Sequence, residues 1–358
     1  MIFRMKEEQE TEQNYMNVEK IYNTHQEMIA DVNNLTNNDK VKTLGYFTIN
    51  DGGSCEYYIT DVLDNNCYQE NLNNGLYARM IITNNVVTPI QFGCIGDGQN
   101  DDSSAFFKCL SLKNITIDLL NKEYNLYNLS DFTFKEDTSL KNGTINIDNI
   151  IMRNANGTLT LENVVIKSIG KSSTGKNQKF LIFAESGDTG NFIIRNSKIL
   201  AKSDEFNNKI ALVYLKDYIN CIIENSYFEN QSKNTEVGGC IWLSATTNQR
   251  NQVIIRNNTC INNSKDEVIG IYDNKNSEIT VIENNYIESK YDSDFTVKLY
   301  RMGSKNIYLK NNTIKSHAIE LSIDLSNECD VEICNNIIIH DCTLQSANNR
   351  SGIRTTNT

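Results

Sequence analysis

From about residue 113 onward the chain runs in short apolar segments separated by polar turns, without a sustained 3.6-residue period. Within the segments apolar and polar residues alternate, the period of a strand with one buried face. A second regularity lies on top of the first. An Asn followed by Asn or Ser closes an apolar segment at Asn196, Asn225, Asn257, Asn284, Asn311 and Asn335, with a weaker earlier copy at Asn163. The steps between copies run from 24 to 33 residues. Self-similarity in that range marks a repeat architecture in which each repeat is one structural unit. Two or three strands and no helix per unit point to a parallel β-helix, with regular coils over about 140–345. An Asn at the same corner of every coil is expected to stack on its neighbours as an amide ladder. It is also expected to take the left-handed backbone of a tight corner.

A further strand of each repeat aligns as KFLIFAE (179–185), KIALVYL (209–215), CIWLS (240–244), VIGIYD (268–273), FTVKLYR (295–301) and AIELSID (318–324). Alternation turns Ile241 and Leu243 inward and Trp242 outward. It turns Ile269 and Ile271 inward, leaving Gly270 and Tyr272 outside. Val297 and Leu299 point in, while Lys298 and Tyr300 point out. Leu321 and Ile323 point in, leaving Glu320, Ser322 and Asp324 outside. Stacked coils then carry one outward stripe: Trp242, Tyr272, Lys298, Tyr300 and Glu320.

The first 84 residues read differently and are expected to form a separate module, with the solenoid over 85–358. Val18, Ile21, His25, Met28, Val32 and Leu35 are spaced as a heptad seam, which predicts a helix that either pairs in a coiled coil or docks on the next hairpin. Val41–Phe47 and Glu56–Ile59 flank Asn50-Asp51-Gly52-Gly53, a strong hairpin signal because Gly supplies positive φ at no steric cost.

Composition narrows the function classes. The chain has 358 residues, a formal net charge of −11 and a single proline. Its mean hydropathy is −0.46 and its pI about 4.9. That charge argues against nucleic acid, which needs a basic stripe. No secretory leader and no apolar run of bilayer length are seen, so membrane insertion is not expected. The ten cysteines form no CxxC pair and have no His at zinc-like spacing. They read as free thiols packed as small hydrophobes in a protein made in a reducing compartment. No metal site and no cofactor are expected.

One segment falls outside the repeats. Phe92–Leu110 reads FGCIGDGQNDDSSAFFKCL, a glycine- and acid-rich turn running into a short amphipathic helix. Asp101 or Asp102 can cap that helix, and Phe106, Cys109 and Leu110 share one face. Such a helix (within 92–112) can plug the open end of a solenoid. Phe92, Gly93, Gly96, Asp97, Gly98, Asp101 and Asp102 resemble the opening motif of the pectate-lyase-like right-handed β-helix superfamily. The upstream stretch VKTLGYFTINDGGSCEYYI is similar to the module that precedes the β-helix in many bacteriophage tail spikes. The resemblance implies an all-β, single-stranded right-handed β-helix with an N-terminal α/β attachment module and a short capping helix. It implies a virion-tail protein, a homotrimer, tail or baseplate partners bound through the N-terminal module, and a host surface glycan as ligand.

Chemistry is then expected on the outer stripe. Aromatic faces stack on sugar rings, and carboxylates supply acid and base. Strands about 4.8 Å apart put acids one or two coils apart near the ~5–9.5 Å that glycoside hydrolysis needs. The carboxylate candidates are Glu320, Asp324 and Asp273, with Asp266, Glu267, Asp292 and Asp294 beside them. Sugar-contact candidates are Trp242, Tyr272, Lys298, Tyr300 and Arg301. Trp242 can equally lie under a loop or at a subunit contact. Gly96, Asp97, Gly98, Asp101 and Asp102 read as a structural turn. His317 and His340 read as structural too. A depolymerase, hydrolytic more readily than eliminative, stays open beside a pure binding protein, a bacterial polysaccharide-degrading enzyme and a structural tail part.

Overall fold

A computed structural model describes residues 19–357 apart from 66, 128–131, 135, 148–151, 155–156, 169–179, 185–189, 202–210, 217, 232–238, 245–250, 265, 273–276, 291–294, 317–318, 324–328 and 341–352. Contacts divide the chain into two units, Met1–Ile82 and Thr83–Thr358.

The first unit is built on a five-stranded sheet in the order Glu19–Tyr22, Lys40–Thr43, Cys55–Thr60, Tyr77–Ile81, Gln69–Asn71. The expected hairpin forms, with Lys40–Thr43 antiparallel to Cys55–Thr60. Its loop is held by Asp51, whose carboxylate accepts from the backbone N–H groups of Tyr46, Phe47, Thr48 and Gly53. The heptad expectation is corrected. Glu19–Tyr22 is a strand, parallel to Lys40–Thr43, and Ile21 on it is 60% exposed. Helix is confined to His25–Ala30, opened by Thr24 accepting from Glu27 N–H, and Val32–Asn34 is a 3-10 turn. Backbone pairing with the sheet outweighs the helical spacing, since six helical residues alone are too few to be stable. Val18 lies outside the described residues.

The second unit is a right-handed parallel β-helix. One face is a nine-stranded parallel sheet that includes Ala211–Lys216, Ile241–Ser244, Ile269–Tyr272, Val297–Met302 and Ile319–Ile323 in consecutive coils. A second stack runs through Asn191–Arg195, Asn220–Glu224, Gln252–Arg256, Ile279–Glu283 and Asn306–Lys310. A third runs through Lys198–Ala201, Tyr227–Asn230, Thr259–Asn262 and Tyr286–Ser289. Two longer strands, Thr138–Ile147 and Thr158–Ser168, pass through both of these stacks. Inward residues such as Phe192, Ile194, Cys221, Ile223, Val253 and Ile255 are wholly buried, which confirms the alternation. Cys221, Cys240 and Cys260 are buried and in no disulfide.

The corner between the second and third stacks corrects the amide-ladder expectation. Asn196, Asn225, Asn257, Asn284, Asn311 and Asn335 all have φ between 50° and 56°. They take the left-handed turn and leave their side chains outside. At the earlier corner Asn163 Nδ2 does donate to Asn142 Oδ1 (3.0 Å), as a corner ladder predicts, but in the later coils the buried ladder belongs to the following residue. Asn258 Nδ2 donates to Asn285 Oδ1 (3.1 Å), Asn285 to Asn312 (3.0 Å) and Asn312 to Asn336 (2.9 Å). Each also donates to a carbonyl one coil back: Ile223, Ile255 and Ile282. Ser226 and Ser197 continue the column in the earlier coils. Two residues divide the work because one side chain cannot both open the turn and point inward.

Outward on the second stack, Ile193, Ile222, Ile254, Val281 and Tyr308 share one register column. Each is half-buried, between inward neighbours on its strand. Beside it runs a column alternating in sign: Arg195, Glu224, Arg256, Glu283, Lys310.

The opening motif is part of the solenoid itself. Gly96 and Gly98 have φ of 65° and 69°, as a glycine turn requires. Asp97–Asp101 is a short strand against Glu123–Leu126, and Asp97 accepts from the N–H groups of Gln99 and Asn100. The cap helix spans Ser103–Leu110 and buries Phe106, Cys109 and Leu110. The two aspartates take separate tasks. Asp101 accepts from Ser103 N–H at the helix start (3.1 Å). Asp102, 3% exposed, turns back and accepts from Ile95 N–H (2.6 Å) and Gly96 N–H (3.2 Å), fastening the glycine turn.

Candidate functional site

The outward face of the nine-stranded sheet carries most of the candidate residues, and its register splits the expected single stripe into two adjacent columns. Tyr214, Trp242, Gly270, Lys298 and Glu320 stand in one. Ser244, Tyr272 and Tyr300 stand in the next. Trp242 and Tyr272 are therefore diagonal neighbours, two residues apart along the strand. The rings still form a continuous row, because the diagonal is within reach of large aromatics. Centroids are 6.1 Å apart from Tyr214 to Trp242, 5.6 Å from Trp242 to Tyr272 and 6.3 Å from Tyr272 to Tyr300. Interplanar angles of 51°, 70° and 57° make them tilted or edge-to-face contacts.

Gly270 makes the row possible. A Cβ there would lie 2.8 Å from Trp242 Nε1 and 2.7 Å from Tyr272 Cε2. The indole thus occupies the space above Gly270, which is buried rather than outward and open. The same indole edge lies 3.3 Å from the Cβ position of Gly239.

Two cations flank the rings. Lys298 Nζ is 5.7 Å from the Tyr272 centroid and 5.9 Å from both Tyr300 and Phe295. Arg301 Cζ is 5.0 Å from the Tyr300 centroid. Arg301 is exposed and sits in a β-bulge between Leu299 and Met302, with φ 53°. A bulge of this kind re-aims a side chain out of the strand's alternation.

Below Lys298 lies a buried carboxylate. Glu267 Oε1 is 3.2 Å from Lys298 Nζ, and its side chain is 9% exposed. Burial works against its ionisation, but the hydrogen bond with Asp266 and the Lys298 charge hold it below the usual carboxylate range. Glu267 Oε2 and Trp242 Nε1 are buried and have no hydrogen-bond partner among the described residues.

The sequence-derived candidates are thus brought together unevenly. Trp242, Tyr272, Lys298, Tyr300 and Arg301 share one patch. Glu320 pairs in register with Lys298 on the neighbouring strand; its side chain lies outside the described residues. Asp273, Asp292, Asp294, Asp324 and His317 lie outside the described residues. Among the described candidate acids, Glu267 is the one in contact with Lys298, at 3.2 Å. Tyr214 and Gly270 went unmarked as members, although alternation along 209–215 points Tyr214 outward. No group of three or more His, Cys, Asp or Glu that could hold a metal ion occurs among the described residues. No helix among them is long and apolar enough to cross a membrane.

No protein-family model matches the chain, and no curated protein matches it. Among solved structures it is similar to WceF of Pantoea stewartii, described as a glycan biofilm modifying enzyme with a bacteriophage tailspike-like parallel β-helix fold. Identity is 12%, the TM-score 0.47, and the match covers 95% of this chain and 51% of that one. It is also similar to the tailspike protein of an Acinetobacter phage, at 11% identity and TM-score 0.43, covering 95% and 73%. A Geobacillus virus protein matches at 11% identity and TM-score 0.34, covering 95% and 74%. The chain therefore spans about half the length of the first of these. At such identities the likeness is one of fold, and the β-helix assignment stands on the strand register of this chain itself.

Proposed function

We propose that this protein is a tail-spike-type receptor-binding protein of a virion tail, and that the outer face of its nine-stranded sheet holds a host cell-surface polysaccharide. The observation that carries the reading is the row Tyr214–Trp242–Tyr272–Tyr300, set on consecutive coils and flanked by Lys298 and Arg301. Coils repeating about every 4.8 Å give a rigid track of aromatic faces, which suits the repeating rings of a glycan. The N-terminal unit would join the spike to other tail proteins. Three copies round an axis would multiply weak sugar contacts without new ones. The aliphatic column Ile193–Tyr308 is the face we assign to contact between copies. It is apolar, and its neighbouring column alternates in charge sign, which a second copy can complement.

Whether the bound glycan is also cut is a separate question, for which Glu267, Glu320, Asp273 and Asp324 are the carboxylates to vary. The deciding experiment is adsorption of the purified full chain to host cells, run beside Trp242→Ala and Tyr300→Ala. We expect wild type to adsorb and both variants to lose at least about tenfold in affinity. Unchanged adsorption by both variants would leave a structural tail part. Incubation with purified host polysaccharide, scored for reducing ends and unsaturated products, separates hydrolysis, elimination and binding alone.

A further inference from the structure

We infer that Arg301 is the anion-reading residue of the aromatic row, and that the glycan held there carries a repeating negative group, a carboxylate or a phosphodiester. The inference rests on the glycan-binding reading above and narrows its ligand.

The backbone at Arg301 is the first observation. Its φ of 53° is in the left-handed region, where a side chain other than Asn is strained. Wherever else the described non-glycine residues take positive φ, the chain uses Asn, with Leu120 the one other exception. Asn at 301 would relieve the strain, so the arginine is kept for its side chain. Strain of this kind persists where a residue serves a site. The register is the second observation. Leu299 pairs with Leu321 and Met302 with Ile323, so this strand holds one residue more than its neighbour. Strict alternation after Tyr300 would send residue 301 into the core. The bulge instead leaves Arg301 exposed beside Tyr300 and gives the inward place to Met302, which is wholly buried.

The surroundings are the third observation. Arg301 Cζ lies 5.0 Å from the Tyr300 centroid and Lys298 Nζ 5.9 Å from it. Two cations thus gather at the last ring of the row, in a chain whose formal net charge is −11. Lys298 is tied to Glu267 at 3.2 Å, which holds it against the sheet. Arg301 is the more exposed of the two. The candidate chemistries can be compared. A cationic sugar would be repelled by both side chains. A ring hydroxyl needs neither a full charge nor two parallel donors. A guanidinium presents its N–H groups as a planar fork, which matches the paired oxygens of a carboxylate or a phosphodiester. A sugar ring seated on Tyr300 has its substituents beside that fork. Arg301 is then a binding residue that selects the charged repeat, while the rings hold the sugar faces.

The test titrates the full chain, by calorimetry, with oligogalacturonates, which carry carboxylates, and with glycerol phosphate oligomers, which carry phosphodiesters. Methyl-esterified oligogalacturonates and maltooligosaccharides are the neutral partners. The expected result is saturable binding of one anionic series, at least about tenfold tighter than of either neutral one, and the series that binds names the anion. Arg301→Gln should lose at least about tenfold in affinity for that series. Arg301→Asn should lose the same affinity yet melt no lower than wild type, because Asn takes the left-handed backbone with less strain. A purely structural arginine predicts the reverse: Arg301→Asn would melt lower and bind as wild type does, and that result would overturn the inference. So would equal binding of charged and neutral series, unchanged binding in Arg301→Gln, or silence to both anionic series. The cell-adsorption result tells the two readings apart. Adsorption lost in Trp242→Ala and kept in Arg301→Gln removes the anion and keeps the glycan reading. Adsorption unchanged in both Trp242→Ala and Tyr300→Ala removes the glycan reading itself.

Discussion

Among single residues, Gly270 does what no other residue could do at its position. The backbone there is ordinary strand, so an alanine meets no conformational barrier. The obstacle is contact, since the added carbon would fall within 2.9 Å of Trp242 and Tyr272 atoms. Gly270→Ala should therefore leave the fold intact and push the indole out of the row. We expect a red-shifted tryptophan emission and weaker adsorption, with unchanged far-ultraviolet circular dichroism. The corner asparagines offer a second contrast. Asn284 has φ 55°, so Asn284→Gly should be nearly neutral and Asn284→Val should cost about 1–2 kcal/mol. Asn285 is 2% exposed and bonded to both neighbouring coils. Asn285→Ala removes the acceptor of the buried Asn258 N–H and should cost about 2–3 kcal/mol. Hydrogen exchange at the amide of residue 258 would locate that loss.

Within and between elements, each coil is held to the next by the parallel ladder, the inward apolar pairs and a few charged clasps. Glu224 is such a clasp. Its side chain is 10% exposed and it takes Arg195 Nε at 2.6 Å and Arg256 Nε at 2.7 Å, one from each adjoining coil. Burial disfavours its charge, and the two arginines more than compensate, so its pKa lies below the ordinary 4.5. A carboxyl whose folded pKa is depressed contributes stability above its unfolded value, and that contribution fades as pH falls through the folded one. Thermal unfolding of wild type should therefore lose stability below about pH 4.5 more steeply than Glu224→Gln does. Parallel melting curves from about pH 7 to about pH 3 would check this; identical slopes would refute it. Alternation alone marks these strands in the sequence, because inward Ile, Val and Leu follow the two-residue period. The clasp has no such signature, because Arg195 and Arg256 lie 29 and 32 residues from Glu224 and meet it only once the coil length is fixed.

Across the molecule, two outward stripes lie on different sheets. One is aromatic and flanked by cations; the other is aliphatic, with a column of alternating charge beside it. A single stripe would have had to serve either sugar or subunit; two allow both. If the aliphatic column joins copies, Ile222→Lys with Ile254→Glu should shift the protein from trimer to monomer in sedimentation while sparing the solenoid's circular dichroism. A monomeric wild type would end that assignment. The separate N-terminal unit carries its own sheet and its own buried residues, Met28, Val41, Tyr57 and Ile59 among them.

The β-helix, the hairpin over Val41–Ile59, the cap helix after the glycine turn and the corner positions are all legible in the amino-acid order. Each is a local or periodic signal, and two-residue alternation with a recurring Asn–Asn or Asn–Ser pair survives any tertiary context. The same alternation names most of the aromatic row, since outward residues follow from it. Three features come from the folded chain alone. The N-terminal heptad becomes a strand and a short helix, because pairing with Lys40–Thr43 satisfies that backbone better than a short isolated helix does. In the later coils the amide ladder moves from the first Asn of each pair to the second. Glu267 comes to lie against Lys298, 3.2 Å from its ammonium. The register between coils sets these last two contacts, and register depends on turn lengths that no single repeat records.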